Sequence, residues 1–395
     1  MKGNVSKKKG GLSTVNISDV NGLQEALDNK MDVPPVVYGV SIDLTNSNPE
    51  TAVTYTDDAV GMTAGSADWY TNPIFKKIKP CLFKDGAVVG YLNPDNFAQF
   101  EDGSPADITS GDAGDVMIEI PKTGYKISKV DNTLTVQITD AANKDGFSYM
   151  AHTRENEGDR DKLYIGAFLG SVASGKLRSL SGKQPTNNTT IGDFRTSAQA
   201  NGDGYDQFAF YPMTLLQCLY LIKYKNLNSQ AALGMGYVNS DDYMPKNTGA
   251  TLDKGMDFGS ADAYTQMKFL GIEDFWGNLY QWIDGLVSSG DGNALVATTG
   301  FNDTGAGYTD KGFVSSGDGG YMKIPQGTND LGFMWHTGGG STTTYFSDYA
   351  YFHAGCVPYF GGYFFVDAVA GAFLLSVRYD ASYAVVSIGA RLMFL

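Results

Sequence analysis

The stretch from Gly271 to Gly285, Gly-Ile-Glu-Asp-Phe-Trp-Gly-Asn-Leu-Tyr-Gln-Trp-Ile-Asp-Gly, constrains the fold more tightly than any other part of the chain. Its order of residue types reads as a loop that runs into a strand. Gly277 permits a backbone angle that other residues rarely adopt. Glu273, Asp274 and Asn278 can bond to loop backbone groups that would otherwise be left unpaired. Trp276 and Trp282 are large enough to pin such a loop onto a core. A structural role accounts for every one of these residues, so the stretch is expected to be scaffold.

A scaffold loop needs a core, and 395 residues with 42 % hydrophobic content can build a sizeable one. Glycine is abundant, at 49 residues, beside 24 tyrosines and 22 phenylalanines; that balance suits short strands, tight turns and exposed aromatic patches. A net charge of -14 opposes binding to a polyphosphate backbone, so nucleic acid is not an expected partner. Cys81, Cys218 and Cys356 are far apart and in no ligand spacing, which predicts neither a disulfide framework nor a zinc site. The basic start, MKGNVSKKKGG, has no apolar run behind it, so no secretory signal is expected. Phe360 to Val377 is apolar but contains Asp367, Gly361, Gly362 and Gly371, so membrane insertion is not expected either.

Periodicity divides the chain. Val20, Leu23, Leu27 and Met31 recur at three- and four-residue steps after a capping Ser18 or Asp19, which predicts a short helix needing partners. It can dock on its own domain or join identical subunits in a parallel bundle. Pro34 and Pro35 end that pattern and set a boundary, giving residues 1–35 as an assembly or attachment element with its linker. Strand-like alternation in VVYGVSIDL, GDVMIEI, GYKISKV and TLTVQIT predicts a β-rich intermediate domain over 36–145. Beyond it, LYIGAFLGS reads as a strand, TIGDFRTSAQA as a short helix, and YPMTLLQCLYLIKYKN as a longer, mostly buried helix, so 146–395 is expected to be a mixed domain.

Two stretches resemble known families. Ile17 to Lys30 is similar to an I-x-D-V-x-G-L-Q-x-A-L-D-x-K element of bacteriophage tail fibres, which implies a homotrimer. Gly271 to Gly285 resembles the G-x-x-D-x-x-G-N-V-W-E-W signature of the formylglycine-generating-enzyme branch of C-type-lectin-like folds. The same element occurs in the variable proteins of diversity-generating retroelements, including phage tropism determinants. AHTRENEGDRDKLYIGAFLGS, SGKLRSLSGKQP and the closing SIGARLMFL extend the resemblance over roughly residues 145 to 395. It implies an α+β chain: a C-terminal C-type-lectin-like receptor-binding domain after a small β-rich domain and a short N-terminal helix. Gly271, Asp274, Trp276, Gly277, Asn278, Trp282, Gly389 and Arg391 would be its scaffold motif.

In the retroelement-diversified proteins a fixed skeleton carries scattered positions that mutate where template adenines are miscopied. By that layout the variable region is 345–395. Its skeleton is Asp348, Tyr349, Gly355, Gly361, Gly362, Ala370, Gly371, Phe373, Leu375, Ile388, Gly389, Ala390 and Arg391. The ligand-binding positions implied are Ala350, Phe352, His353, Cys356, Pro358, Tyr363, Phe365, Val366, Val369, Ser376, Arg378, Tyr383, Val385 and Val386. The residues themselves speak for a surface. Tyr345–Phe346, Tyr351–Phe352, Tyr359–Phe360 and Tyr363–Phe364–Phe365 are runs of adjacent bulky side chains, and a strand buries alternate residues only. Exposed tyrosine offers a large rigid contact area with a polar tip.

The expected function is therefore that of a non-enzymatic adhesin at a phage or prophage tail tip. It would occupy the virion and bind a bacterial surface protein or glycan, other tail proteins and itself. A structural tail-fibre or baseplate component is the alternative from a different class. A formylglycine-generating-type oxidase is more remote, because its C-terminal cysteine pair is missing and only Cys356 lies there. His152, His336 and His353 stand in no ligand spacing, and no nucleophile elbow, phosphate loop or dinucleotide fingerprint is evident. No cofactor is expected. Calcium is the one candidate ion, through the acidic loops SGDAGD and SSGDGN or aspartates near Trp276, although neither loop follows the twelve-residue pattern.

Overall fold

The alternating runs before residue 140 pair as antiparallel ladders, because a strand of period-two polarity lays its apolar side on a core. In the computed structural model, which describes residues 34–155 and 157–395, Val53–Asp57, Val37–Asp43, Thr133–Thr139 and Gly124–Val130 lie side by side in that order. Val136 is paired with Val40 on one side and Ile127 on the other, and all three are buried. The helix expected over Val20 to Met31, and with it the trimer-forming element, lies outside the described residues.

A second, seven-stranded sheet runs in the order Tyr205–Gln207, Leu392–Phe394, Lys162–Gly166, Asp115–Pro121, Lys79–Lys84, Ala87–Asn93, Asn96–Phe100. This sheet spans the expected boundary at residue 145. Asp115–Pro121, from the supposed intermediate domain, pairs along its length with Lys162–Gly166 from the supposed C-terminal one. Its central residues are buried on both faces, with Ile118 in the main core and Met117 in a second cluster. Separating the two parts would expose both faces of a strand whose Val116, Met117, Ile118 and Ile120 are fully buried, and Val36–Leu395 accordingly form one compact unit.

Few helices complete this largely β, broadly α+β architecture. Ile191–Gln199 is capped by Thr190, whose hydroxyl accepts from Asp193 N at 3.2 Å. Phe210–Tyr224 shows no polar face because every residue in it is buried. It ends where Lys225 turns left-handed at φ 50° and donates its N–H to Leu221 O. The apolar Phe360–Val377 segment folds as a strand end, loop, one 3-10 turn and a further strand. Among the described residues no helix is long and apolar enough to cross a membrane.

A third sheet bears on function. Its order is Trp335–Gly338, Gly317–Pro325, Tyr349–His353, Leu375–Tyr379, Val357–Phe360, Tyr280–Trp282, Ile388–Gly389. Five of these seven strands come from beyond residue 330, so the C-terminal residues build most of one continuous surface.

Candidate functional site

The Gly271–Gly285 stretch forms a buried knot at one edge of that third sheet. Asp274, Gly277 and Asn278 all have positive φ, at 52°, 82° and 62°. A Cβ on Gly277 would lie 3.1 Å from both N and O of Tyr237, so glycine serves there for space as well as angle. The Asn278 amide reads three groups: it donates to Asp274 Oδ2 at 2.8 Å and Lys246 O at 3.1 Å, and accepts from Lys246 N at 2.9 Å. Trp276 and Trp282 are fully buried and donate their ring N–H to Gly234 O and Thr189 O, both at 3.1 Å.

Arg391 ties the knot to the last strands. Its guanidinium, wholly buried, donates to Gln281 Oε1 at 2.7 Å and to the carbonyls of Gly166, Glu273 and Asp274 at 2.8 to 3.0 Å. Burial pulls its pKa down to about 10. Burial likewise pushes the Glu273 and Asp274 carboxyls above the usual carboxylate range. Gly389 runs beside this knot, where a Cβ would meet Thr186 O at 2.9 Å, and one on Gly271 would meet Ile118 Cδ1 at 2.6 Å. A further fixed point is Asp348, buried, accepting from Phe373 N at 2.7 Å; a Cβ on Gly371 would be 2.2 Å from its carboxylate.

The third sheet packs one face on the main core, and its other face is covered by a second core cluster at Trp282 and Val357 but part-exposed along Tyr349–His353. Along Tyr349–His353 the pattern is strict: Ala350 and Phe352 are buried, whereas Tyr349, Tyr351 and His353 are half-buried on the opposite side with their rings adjacent. Pairing carries this face across the sheet. Tyr351 and Tyr359 both pair with Ser376, and Trp282 pairs with Tyr359, which puts Tyr280 on the same side as well. Rings of Tyr280 and Tyr359 meet edge to face at 4.7 Å, and Tyr280 lies 5.1 Å from Tyr363. Tyr359 stacks on Tyr379 at 5.5 Å, and Tyr379 on Tyr383 at 3.9 Å.

Together these rings wall a concave cup of about 480 Å³. Ser376 lies in its lining, Val366, Val369 and Val385 contribute aliphatic wall, and among the described residues Arg378 is the one charged side chain that lines it. The guanidinium sits over the Tyr351 ring at 4.6 Å and the Tyr379 ring at 5.7 Å. Burial raises the phenol pKa of Tyr280, Tyr351, Tyr359, Tyr363 and Tyr383 above the ordinary value, so these hydroxyls stay neutral donors and acceptors at physiological pH.

Of the fourteen positions expected at a ligand surface, Tyr363, Val366, Val369, Ser376, Arg378, Tyr383 and Val385 line this cup. The other seven do not. Ala350 and Phe352 point into the core, a correction that follows from strand parity, and Pro358 and Cys356 are buried too. His353 continues the open face past the cup next to Tyr351. Phe365 and Val386 are exposed outside it; Phe365 packs at 4.4 Å against exposed Tyr243. Tyr280, Tyr349, Tyr351, Tyr359 and Tyr379 were not among the expected ligand positions, although the Tyr-x-Tyr-x-His spacing from 349 to 353 carries the period-two signal that marks one strand face.

The calcium candidates do not assemble. Asp115 is engaged by Arg178 Nε at 3.0 Å and Ser179 N at 2.7 Å, and among the described residues no group of three His, Cys, Asp or Glu could hold a metal ion. A second cleft of about 470 Å³ opens beside Tyr70. Its buried Lys223 is already paired with Asp257 and lies over the Tyr70 ring, so the charge there is spent internally.

No protein-family model matches the chain, and no curated protein matches it. Among solved structures it is similar to that of PvdO from Pseudomonas aeruginosa, at 11 % identity and a TM-score of 0.30, over 73 % of this chain and 97 % of that one.

Proposed function

We propose that this chain is a receptor-binding protein of a phage or prophage tail tip, a non-enzymatic adhesin whose C-terminal part is C-type-lectin-like and whose region 345–395 is diversified. One observation carries the reading: an open, tyrosine-walled cup stands on a backbone fixed by buried hydrogen bonds. That is the division of labour a diversified binder requires. Substitution at Tyr363, Arg378 or Tyr383 changes what the cup meets, while Asp348, Asn278 and Arg391 hold the chain path from below.

In this reading the virion presents several copies through the N-terminal element, as a homotrimer joined to other tail proteins. Several weak cups acting together bind a bacterial surface through effective concentration, so no single site needs high affinity. The nucleotide sequence around the gene tests the diversified class. The expected finding is a reverse-transcriptase gene and a template repeat that differs from the gene's end only at adenines, with the differences falling in codons of cup residues. Absence of a repeat, or differences concentrated in codons such as those of Asp348 and Arg391, would contradict it.

A further inference from the structure

We infer that the cup takes an anionic sugar, a pyranose bearing a carboxylate, with the ring laid on tyrosine faces and the carboxylate on Arg378. The inference rests on the receptor-binding reading of this face and names the chemistry of its ligand.

Three features converge on that class. First, the walls are tyrosine rings, joined edge to face and stacked, from Tyr280 through Tyr359 and Tyr379 to Tyr383. An aromatic face is electron-rich and attracts the polarised C–H bonds on the apolar side of a pyranose, while the phenol hydroxyls can donate to or accept from sugar hydroxyls. The cup's size lies within the range of small-ligand sites and suits one or two sugar rings.

Second, its charge is opposite in sign to that of the molecule. In a chain of net charge -14, no carboxylate lines the cup, and Arg378 has no ion-pair partner among the described residues. Nearby Asp380 is turned to its own loop, accepting from Ser382 N at 2.9 Å. A guanidinium resting over Tyr351 with no ion-pair partner among the described residues has its donor fork available for the two oxygens of a carboxylate. The same cation argues against a quaternary ammonium ligand, which an aromatic cage would otherwise suit.

Third, Ser376 Oγ is buried in the lining beside the Tyr359 phenol, and among the described residues it has no partner in good hydrogen-bonding geometry. A buried hydroxyl without a partner is costly, and a ligand hydroxyl or carboxylate reaching the cup would satisfy it.

The test uses the full chain on arrayed hexuronate and nonulosonate glycans beside their carboxyl-reduced counterparts, which keep the shape and lose the charge. At least one acidic series is expected to bind at least tenfold better than its reduced form, and which series does so identifies the source. Arg378→Gln is expected to abolish that preference, and Tyr379→Ala to weaken binding to both forms. Equal binding of acidic and reduced forms, no binding to either series, or an unchanged preference in Arg378→Gln would overturn the inference. Adsorption to bacterial cells separates this failure from a deeper one. Adsorption that needs Tyr379 but is destroyed by protease and survives periodate means a protein receptor, which rejects the sugar and keeps the receptor-binding reading. Adsorption indifferent to Tyr379 rejects both.

Discussion

Single residues set both the rigidity of this molecule and its response to pH. His152 is fully buried; its Nε2 accepts from Thr123 N at 3.2 Å, which places the ring proton on Nδ1, where it has no partner among the described residues. Burial, aided by the Lys122 charge, lowers its pKa from 6.5 to about 3. The unfolded chain therefore binds a proton at this ring as pH falls below about 6.5, while the folded chain resists until about pH 3. Above that window the ring is neutral in both states and contributes nothing, and stability is lost as pH falls through it. Between pH 7 and pH 4 the loss amounts to about 3 kcal/mol. His152→Gln, which keeps an acceptor for Thr123, should lose about that much less across the same interval in urea unfolding. Parallel pH profiles for the two proteins would refute the assignment. The sequence marks His152 only as a histidine outside any ligand pattern, because its burial comes from contacts made elsewhere in the chain.

At the scale of elements, legibility followed locality. The runs Val37–Asp43, Asp115–Pro121, Gly124–Val130 and Thr133–Thr139 were readable as strands because period-two alternation or a solid apolar run is written within each. The buried helix Phe210–Tyr224 was readable for the same reason. Pairing between distant segments leaves no local mark: Leu392–Phe394 lies between Lys162–Gly166 and Tyr205–Gln207, and nothing in those short runs announces it. The scaffold residues were legible as a motif, with Asn278 and Trp276 where loop chemistry wants them. Strand parity at 349–353 was available but overridden by a family layout that ignores which side a residue faces. That parity has an energetic consequence. Phe352→Ala should cost about 3–5 kcal/mol by emptying a core site. Tyr351→Ala, on the open face, should cost under about 1 kcal/mol. Denaturant midpoints for the two variants check this directly, and equal losses would mean that the open face is not open.

At the scale of the whole molecule, residues 36–395 act as one support for the cup. The second sheet joins early and late segments, the buried knot at Gly271–Gly285 locks Arg391, and the third sheet leaves the Tyr349–His353 side of one face part-exposed at the cup. A face held this firmly can lose a tyrosine without losing its shape, and that separation of binding from stability is the core of the account. The direct measurement is adsorption of the labelled full chain to a panel of bacterial strains, made alongside thermal unfolding, for the wild type and for Tyr363→Ala and Tyr379→Ala. The account predicts adsorption reduced at least tenfold, with a melting temperature within about 4 °C of wild type, as expected for a stability change of about 1 kcal/mol. Unchanged adsorption, or a melting temperature that falls as far as that of Phe352→Ala, would contradict it.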